Sequence, residues 1–260
     1  MGVHEALAAV LTCPASLTAL REDPERLRRE HDLTEAELAM LVGAPHVGYT
    51  TTAARVRSKL GRLVGGLLPA TTAALRESDP ALWETFLTGT VRQAREGERI
   101  IGLEDAELLV NLLAERAAPP LASYARFELA RRRLLHDGAA AGAARAWAAS
   151  PEPADAAALR DVPVAVSAAA RVAVLDHDVT SGEPPHRIPA ARTPMLLHRR
   201  WGEPPLAAYR VGDGTLALLA RCNGRHSGRQ VAESMGGDRR AAEDALSRLA
   251  ARGILHAVRR

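Results

Sequence analysis

Aromatic residues make up only 3% of the 260-residue sequence. That scarcity disfavours a β-sandwich, and the apolar 47% must be filled mainly by Leu, Ala and Val, a mixture suited to helices. Cys13 and Cys222 are the only cysteines and have no CxxC neighbour, which points to neither a disulfide framework nor a zinc ribbon. Lysine is almost missing too: Lys59 stands alone and every other basic side chain is arginine. A GC-rich genome produces that bias without functional demand, although arginine also suits carboxylate or phosphate recognition. No run approaches the roughly 20 apolar residues needed to cross a bilayer. The start, MGVHEALAAVLTCPASL, lacks the basic head and continuous apolar core of a signal peptide. A cytoplasmic chain with no membrane partner is expected.

Catalytic signatures are missing as well. There is no P-loop, no G-x-G-x-x-G and no G-x-S-x-G elbow. Ser58, Ser123 and Ser227 lack recognisable His and Asp companions, and His226 beside Ser227 does not by itself activate a nucleophile. Asp176, His177 and Asp178, with His186 and His198 downstream, match no metal-ligand spacing and read as a turn leaving a strand. The net charge of +3 includes 31 interspersed acidic residues, so no dedicated nucleic-acid arm is present. The expectation is a binding protein rather than an enzyme.

What is present is helix punctuation. Asp23 before Pro24 reads as an N-cap with proline at the first helical position, and Thr34 with Glu37 as a capping box closed by Gly43 and Pro45. Val56, Leu60, Leu63, Val64 and Leu67 form an amphipathic stripe interrupted near Pro69, with Gly65-Gly66 as a kink or close crossing. Asp79-Pro80 opens a helix holding Leu82, Trp83, Phe86 and Leu87. GLEDAELLVNLLAERA is another, and LASYARFELARRRLLHDG a further one stopped by Gly138. This predicts five or six helices in a domain over residues 1–140, then an Ala- and Pro-rich linker over 141–163.

Residues 164–260 change character. VAVSAAARVAVLDHDV, PMLLHRRW and LAAYRV read as three strands. DGTLALLARC, SGRQVAESMGG and DRRAAEDALSRLAARG read as three helices, with Asn223-Gly224 as a tight corner, Ser227 and Asp238 as N-caps and Gly253 as a stop. ILHAVRR is a final strand or wing. The whole chain is expected to be mainly α: a helical domain followed by a small α+β module of winged-helix type.

The run DGTLALLARCNGRHSGRQVAESMGGDRRAAEDALSRLAARGIL resembles the helical part of PqqD-like peptide-recognition domains. Cys222-Asn223-Gly224 stands at their polar corner, and Leu246, Leu249, Gly253 and Ile254 match their closing helix. VRSKLGRLVGGLLPATTAAL and PPLASYARFELARRR are similar to partner subunits of the multinuclear iron-dependent TIM-barrel oxidases, the group that includes the methanobactin biosynthesis partner protein. Arg57, Lys59, Leu68, Pro69 and Thr71 fit the first motif; Leu121, Arg126, Phe127, Glu128 and Ala130 fit the second.

Together the resemblances imply a non-catalytic subunit in the maturation of ribosomally made peptides (RiPP biosynthesis). It would form a heterodimer with an iron-dependent TIM-barrel oxidase and grip the leader of a precursor peptide. This chain would carry no cofactor, with iron in the partner enzyme. By analogy the leader would add as a strand to LAAYRV and lie against DRRAAEDALSRLAARG. The implied peptide contacts are Leu206, Ala208, Tyr209, Arg210, Arg240, Asp244 and Arg248, with Arg239 nearby. Arg57, Lys59, Arg126 and Glu128 are implied for docking the partner. Proline at Leu206 or Tyr209 is expected to remove an edge donor. The alternative reading is a winged-helix DNA-binding regulator, with DRRAAEDALSRLAARG as recognition helix and ILHAVRR as wing.

Overall fold

The computed structural model describes residues 2–89, 102–116, 118–149, 156–202 and 204–258. It is 65% helix and 15% strand, as the mainly helical expectation requires. The chain divides into two compact units, Met1–Ala122 and Ser123–Arg260.

In the first unit, α1 (Val3–Thr12), α2 (Pro14–Glu22), α3 (Pro24–His31) and α4 (Glu35–Gly43) precede a long α5 (His46–Leu67). They are followed by α6 (Pro69–Ser78), α7 (Pro80–Gly89) and α8 (Leu103–Glu115). The local grammar sets most of these ends. The Asp23 carboxylate accepts from the Arg26 amide, Thr34 and Glu37 form a complete capping box, and the Asp79 carboxylate accepts from the Leu82 amide at 2.9 Å. Ala6, Val10, Leu20, Leu27, Leu38 and Leu41 build one core, closed by Tyr49, whose hydroxyl donates to the Leu41 carbonyl at 2.8 Å. Leu60, Val64, Leu75, Trp83, Phe86, Leu109 and Leu113 are among the buried residues of α5 to α8. The helix α5 runs unbroken through Gly65-Gly66. The tighter approach is at Gly102, whose φ of +85° and 3.1 Å gap to Leu63 Cβ would strain any side chain placed there.

The second unit starts within α9 (Pro119–His136) and continues with α10 (Gly138–Ala149), α11 (Ala156–Arg160), β1 (Pro163–Val166), β2 (Ala170–His177), β3 (Ala190–Arg199) and β4 (Leu206–Arg210). Next come α12 (Asp213–Arg221), β5 (Asn223–Ser227), α13 (Gly228–Ser234), α14 (Arg239–Ala250) and β6 (Leu255–Ala257). Gly138 opens α10 rather than merely stopping α9, because the Asp137 carboxylate caps the amides of Ala139 and Ala140 at 2.9 and 3.1 Å. The run VAVSAAARVAVLDHDV is two strands in two different sheets. One sheet is the antiparallel meander β2-β3-β4 and the other has the order β5-β1-β6. The corner expected at Asn223-Gly224 is the start of strand β5.

Strand β3 is buried from Thr193 to His198, so both faces of the meander are covered there. Met195 and Leu197 pack with Phe127 and Leu134 of α9 and Ala140 of α10; Leu196 packs on the opposite face with Leu218, Val231, Leu246 and Leu249. That division is the two-residue period of a strand with each face given its own helices. Helix α14 ends as read from the sequence: Gly253 has φ +71° and the Ile254 amide returns to the Leu249 carbonyl at 3.0 Å. Gly253 also lies against the Trp147 indole, where a Cβ would stand 2.6 Å from the ring.

Candidate peptide-binding edge

Strand β4 is an edge of the meander, and among the described residues nothing pairs with its outer side. The Val211 amide donates to the Pro194 carbonyl (3.0 Å) and the Arg200 amide to the Pro205 carbonyl (2.8 Å), one at each end of the β3·β4 ladder. Alternate pairs exchange hydrogen bonds in an antiparallel ladder. With Leu196 opposite Tyr209 and His198 opposite Ala207, those two β4 residues turn their amides toward β3. Leu206, Ala208 and Arg210 turn theirs outward. This corrects the proline expectation: Leu206 carries a free edge donor, whereas the Tyr209 donor belongs to the sheet.

Helix α14 supplies a wall for this edge. Ala241, Ala245, Arg248 and Arg252 recur at helical spacing and share a face. The Arg252 guanidinium, just past the C-terminal end of α14, lies 5.3 Å from the centroid of the Tyr209 ring, which brings that end of the helix to β4. Toward the start of α14 the same face opens into a cleft of about 310 Å³ against α12, lined by Gly214, Thr215, Leu218, Met235, Ala241 and Ala245. Its small side chains leave room for an apolar side chain of an extended ligand.

The named contacts are distributed unevenly over this surface. Leu206 is half-buried against the α9 side, Ala208 is exposed on the edge, and Tyr209 is half-buried under Arg252. Arg210 is already paired with Asp178 at 2.9 Å, and Asp178 is held below the usual carboxylate range chiefly by the Thr180 hydroxyl and amide, with Arg210 adding to this. Arg240, Asp244 and Arg248 are all exposed on α14. Arg239 is occupied by Glu243 at 2.8 Å and Glu233 at 3.1 Å. Sequence reading missed Ala241, Ala245 and Arg252, although their spacing from Arg248 was a usable signal.

Of the docking residues, Arg57 and Lys59 sit on α5 in the first unit, where Arg57 lines a cleft and Lys59 is exposed. In the second unit Arg126 lies 3.7 Å from Asp176, an exposed pair worth little. Glu128 is only 7% exposed, so it is part of the interior rather than of a surface offered to a partner.

Three polar groups bear on chemistry. Ser123 does have a histidine companion: its buried hydroxyl lies 3.0 Å from Nδ1 of His177. The flanking Asp176 and Asp178 are engaged with Arg126 and Arg210. Burial pushes the Cys222 thiol up to about 11, which leaves it a poor nucleophile. Burial, reinforced by Arg200 and Arg252, lowers His198 to about 4, and its Nδ1 has no hydrogen-bond partner among the described residues. Among the described residues no three His, Cys, Asp or Glu side chains converge at metal-ligand distances, and no helix is long and apolar enough to cross a membrane.

The chain matches no protein-family profile and no curated protein.

Proposed function

We propose that this chain is a non-catalytic subunit that binds the leader of a ribosomally made precursor peptide along β4 and presents the peptide to an iron-dependent oxidase. In this reading residues 164–260 act as a PqqD-like, winged-helix recognition module. The observation that carries it is the outward backbone of Leu206, Ala208 and Arg210 on an edge whose Tyr209 ring lies under Arg252, just past the end of α14. An extended peptide gains main-chain hydrogen bonds from such an edge and specificity from pockets beside it. Arg248 gives that groove positive charge for an acidic leader. The DNA-regulator reading has less support, since Arg239 on α14 is neutralised by Glu233 and Glu243.

The test is co-expression with the genes flanking its own, followed by purification of this chain, metal analysis and mass spectrometry. Recovery of an iron-containing enzyme together with a short peptide is the expected result. Recovery of the chain alone, with tight and steeply salt-dependent binding to duplex DNA, would establish the regulator instead.

A further inference from the structure

We infer that the first unit carries a binding site for a small oxyanion, a carboxylate or phosphate group, in the cleft between α5, α6 and α7. This site is independent of the peptide-binding reading of the second unit. The cleft has a volume of about 270 Å³ and is lined by Arg57, Gly61 and Arg62 of α5, Arg76 of α6, and Trp83 and Glu84 of α7. Three guanidiniums and one carboxylate leave two positive charges in excess.

The arrangement is built rather than incidental. Arg57 and Gly61 are four residues apart, as are Ser58 and Arg62, so all four share one face of α5. The Arg76 guanidinium is held 4.7 Å from the centroid of the buried Trp83 ring, which orients it without consuming its charge. Gly61 forms the floor: a Cβ there would lie 3.4 Å from Trp83 Cζ2 and 3.6 Å from an Arg76 Nη. A larger side chain would fill the space in front of that guanidinium.

Among the described residues the three arginines are also unpaired. Among the described residues no carboxylate comes within ion-pair distance of Arg57, Arg62 or Arg76, and Glu84 on the rim pairs with none of them. Elsewhere in the same unit Arg26 pairs with Glu30 and Arg28 with Glu25, each at 2.7 Å. Gathering three unneutralised guanidiniums around one cleft costs mutual repulsion that a bound anion relieves. Their planar forks match the paired oxygens of a carboxylate or phosphate.

Titration calorimetry on the full chain at low ionic strength, with inorganic phosphate and separately with glutarate, tests the site. Saturable one-site binding of at least one probe is expected, weakening as salt rises. Binding of phosphate alone assigns a phosphoryl ligand, and binding of glutarate alone a carboxylate. Arg57→Gln combined with Arg62→Gln should weaken that binding at least about tenfold. Ser58→Glu, an exposed change that brings a carboxylate into the cleft, should abolish it with the unliganded thermal midpoint unchanged. Arg55→Gln, exposed on α5 outside the cleft, should leave it intact. Absence of saturable heat with either probe up to about 10 mM, or binding that survives Ser58→Glu in a folded chain, would overturn the inference.

Discussion

The meander β2-β3-β4 has two edges, and they are unlike. Strand β2 is the longer, with eight residues against five. The Arg199 amide donates to the Ala169 carbonyl at 2.7 Å, which sets the phase of β2 so that Val172 and Val174 turn their amides outward. Their side chains are 37% and 48% exposed, so this edge offers backbone and apolar surface without a helix laid over them. Strand β4 is shorter but has Arg252, just past α14, over Tyr209, and leads into α12, which borders a cleft against α14. Length and exposed valine favour β2 as a generic sticky edge; a wall and a pocket favour β4 as a selective one. Selectivity comes from what stands beside an edge, because the backbone donors alone carry little sequence information.

The sharpest way to break this comparison is a pair of prolines. Ala208→Pro removes an outward donor from β4 and places a ring against an incoming strand. It should cost the peptide recovered with the complex about 2–3 kcal/mol of affinity, measured by calorimetry. Val172→Pro does the same to β2 and should leave that affinity unchanged. The reverse pattern would move the site to β2. Tyr209→Pro should instead lower the thermal midpoint of the protein itself, since its amide serves β3.

Acid separates the two edges next. His198 is in the central strand, but its backbone pairs with Ala207 of β4. Its ring stays neutral in the folded chain down to about pH 4, whereas in the unfolded chain it takes a proton below about 6.5. The stabilisation is therefore full above pH 6.5 and is lost as pH falls toward 4, by about 3 kcal/mol in all. Denaturant titrations should show this loss in the wild type and a shallower one in His198→Leu. Hydrogen exchange should show the Ala207 amide opening in acid before that of Ala173.

Smaller effects sharpen the role of the wall. Ala245→Phe fills the cleft with little change to α14 and should weaken peptide binding by about 1–2 kcal/mol, or roughly tenfold. Arg248→Ala should cost about 0.5–1 kcal/mol and flatten the salt dependence of binding. Neither should alter a peptide held on β2.

Much of this architecture is legible in the sequence. Asp23, Thr34, Asp79, Ser227 and Asp238 each cap a helix, and Gly253 closes one, because short polar side chains and a residue free to take positive φ act locally. Strand β5 was not legible: Asn-Gly-Arg-His-Ser has no apolar alternation and is a strand only because β1 lies beside it. The split between β1 and β2 at Ser167 was hidden for a similar reason, since both flanks are Val- and Ala-rich. Assignment of most of α9 to the second unit goes with Phe127 and Leu134 meeting Met195 and Leu197, a contact no local pattern encodes. At the candidate site the strand was readable and its outward phase was not, because phase is set by the partner strand. Glu128 looked like a surface charge from its arginine neighbours and turned out to be interior.

Lys59, exposed on α5, is the sole lysine of the chain. Amine-directed reagents thus meet one side-chain target in the entire sequence, besides the terminal amino group. With the terminal amino group blocked beforehand, a protein captured by a short amine-directed crosslinker is located on α5 by the chemistry of the capture alone. No peptide map is required to say where it touched.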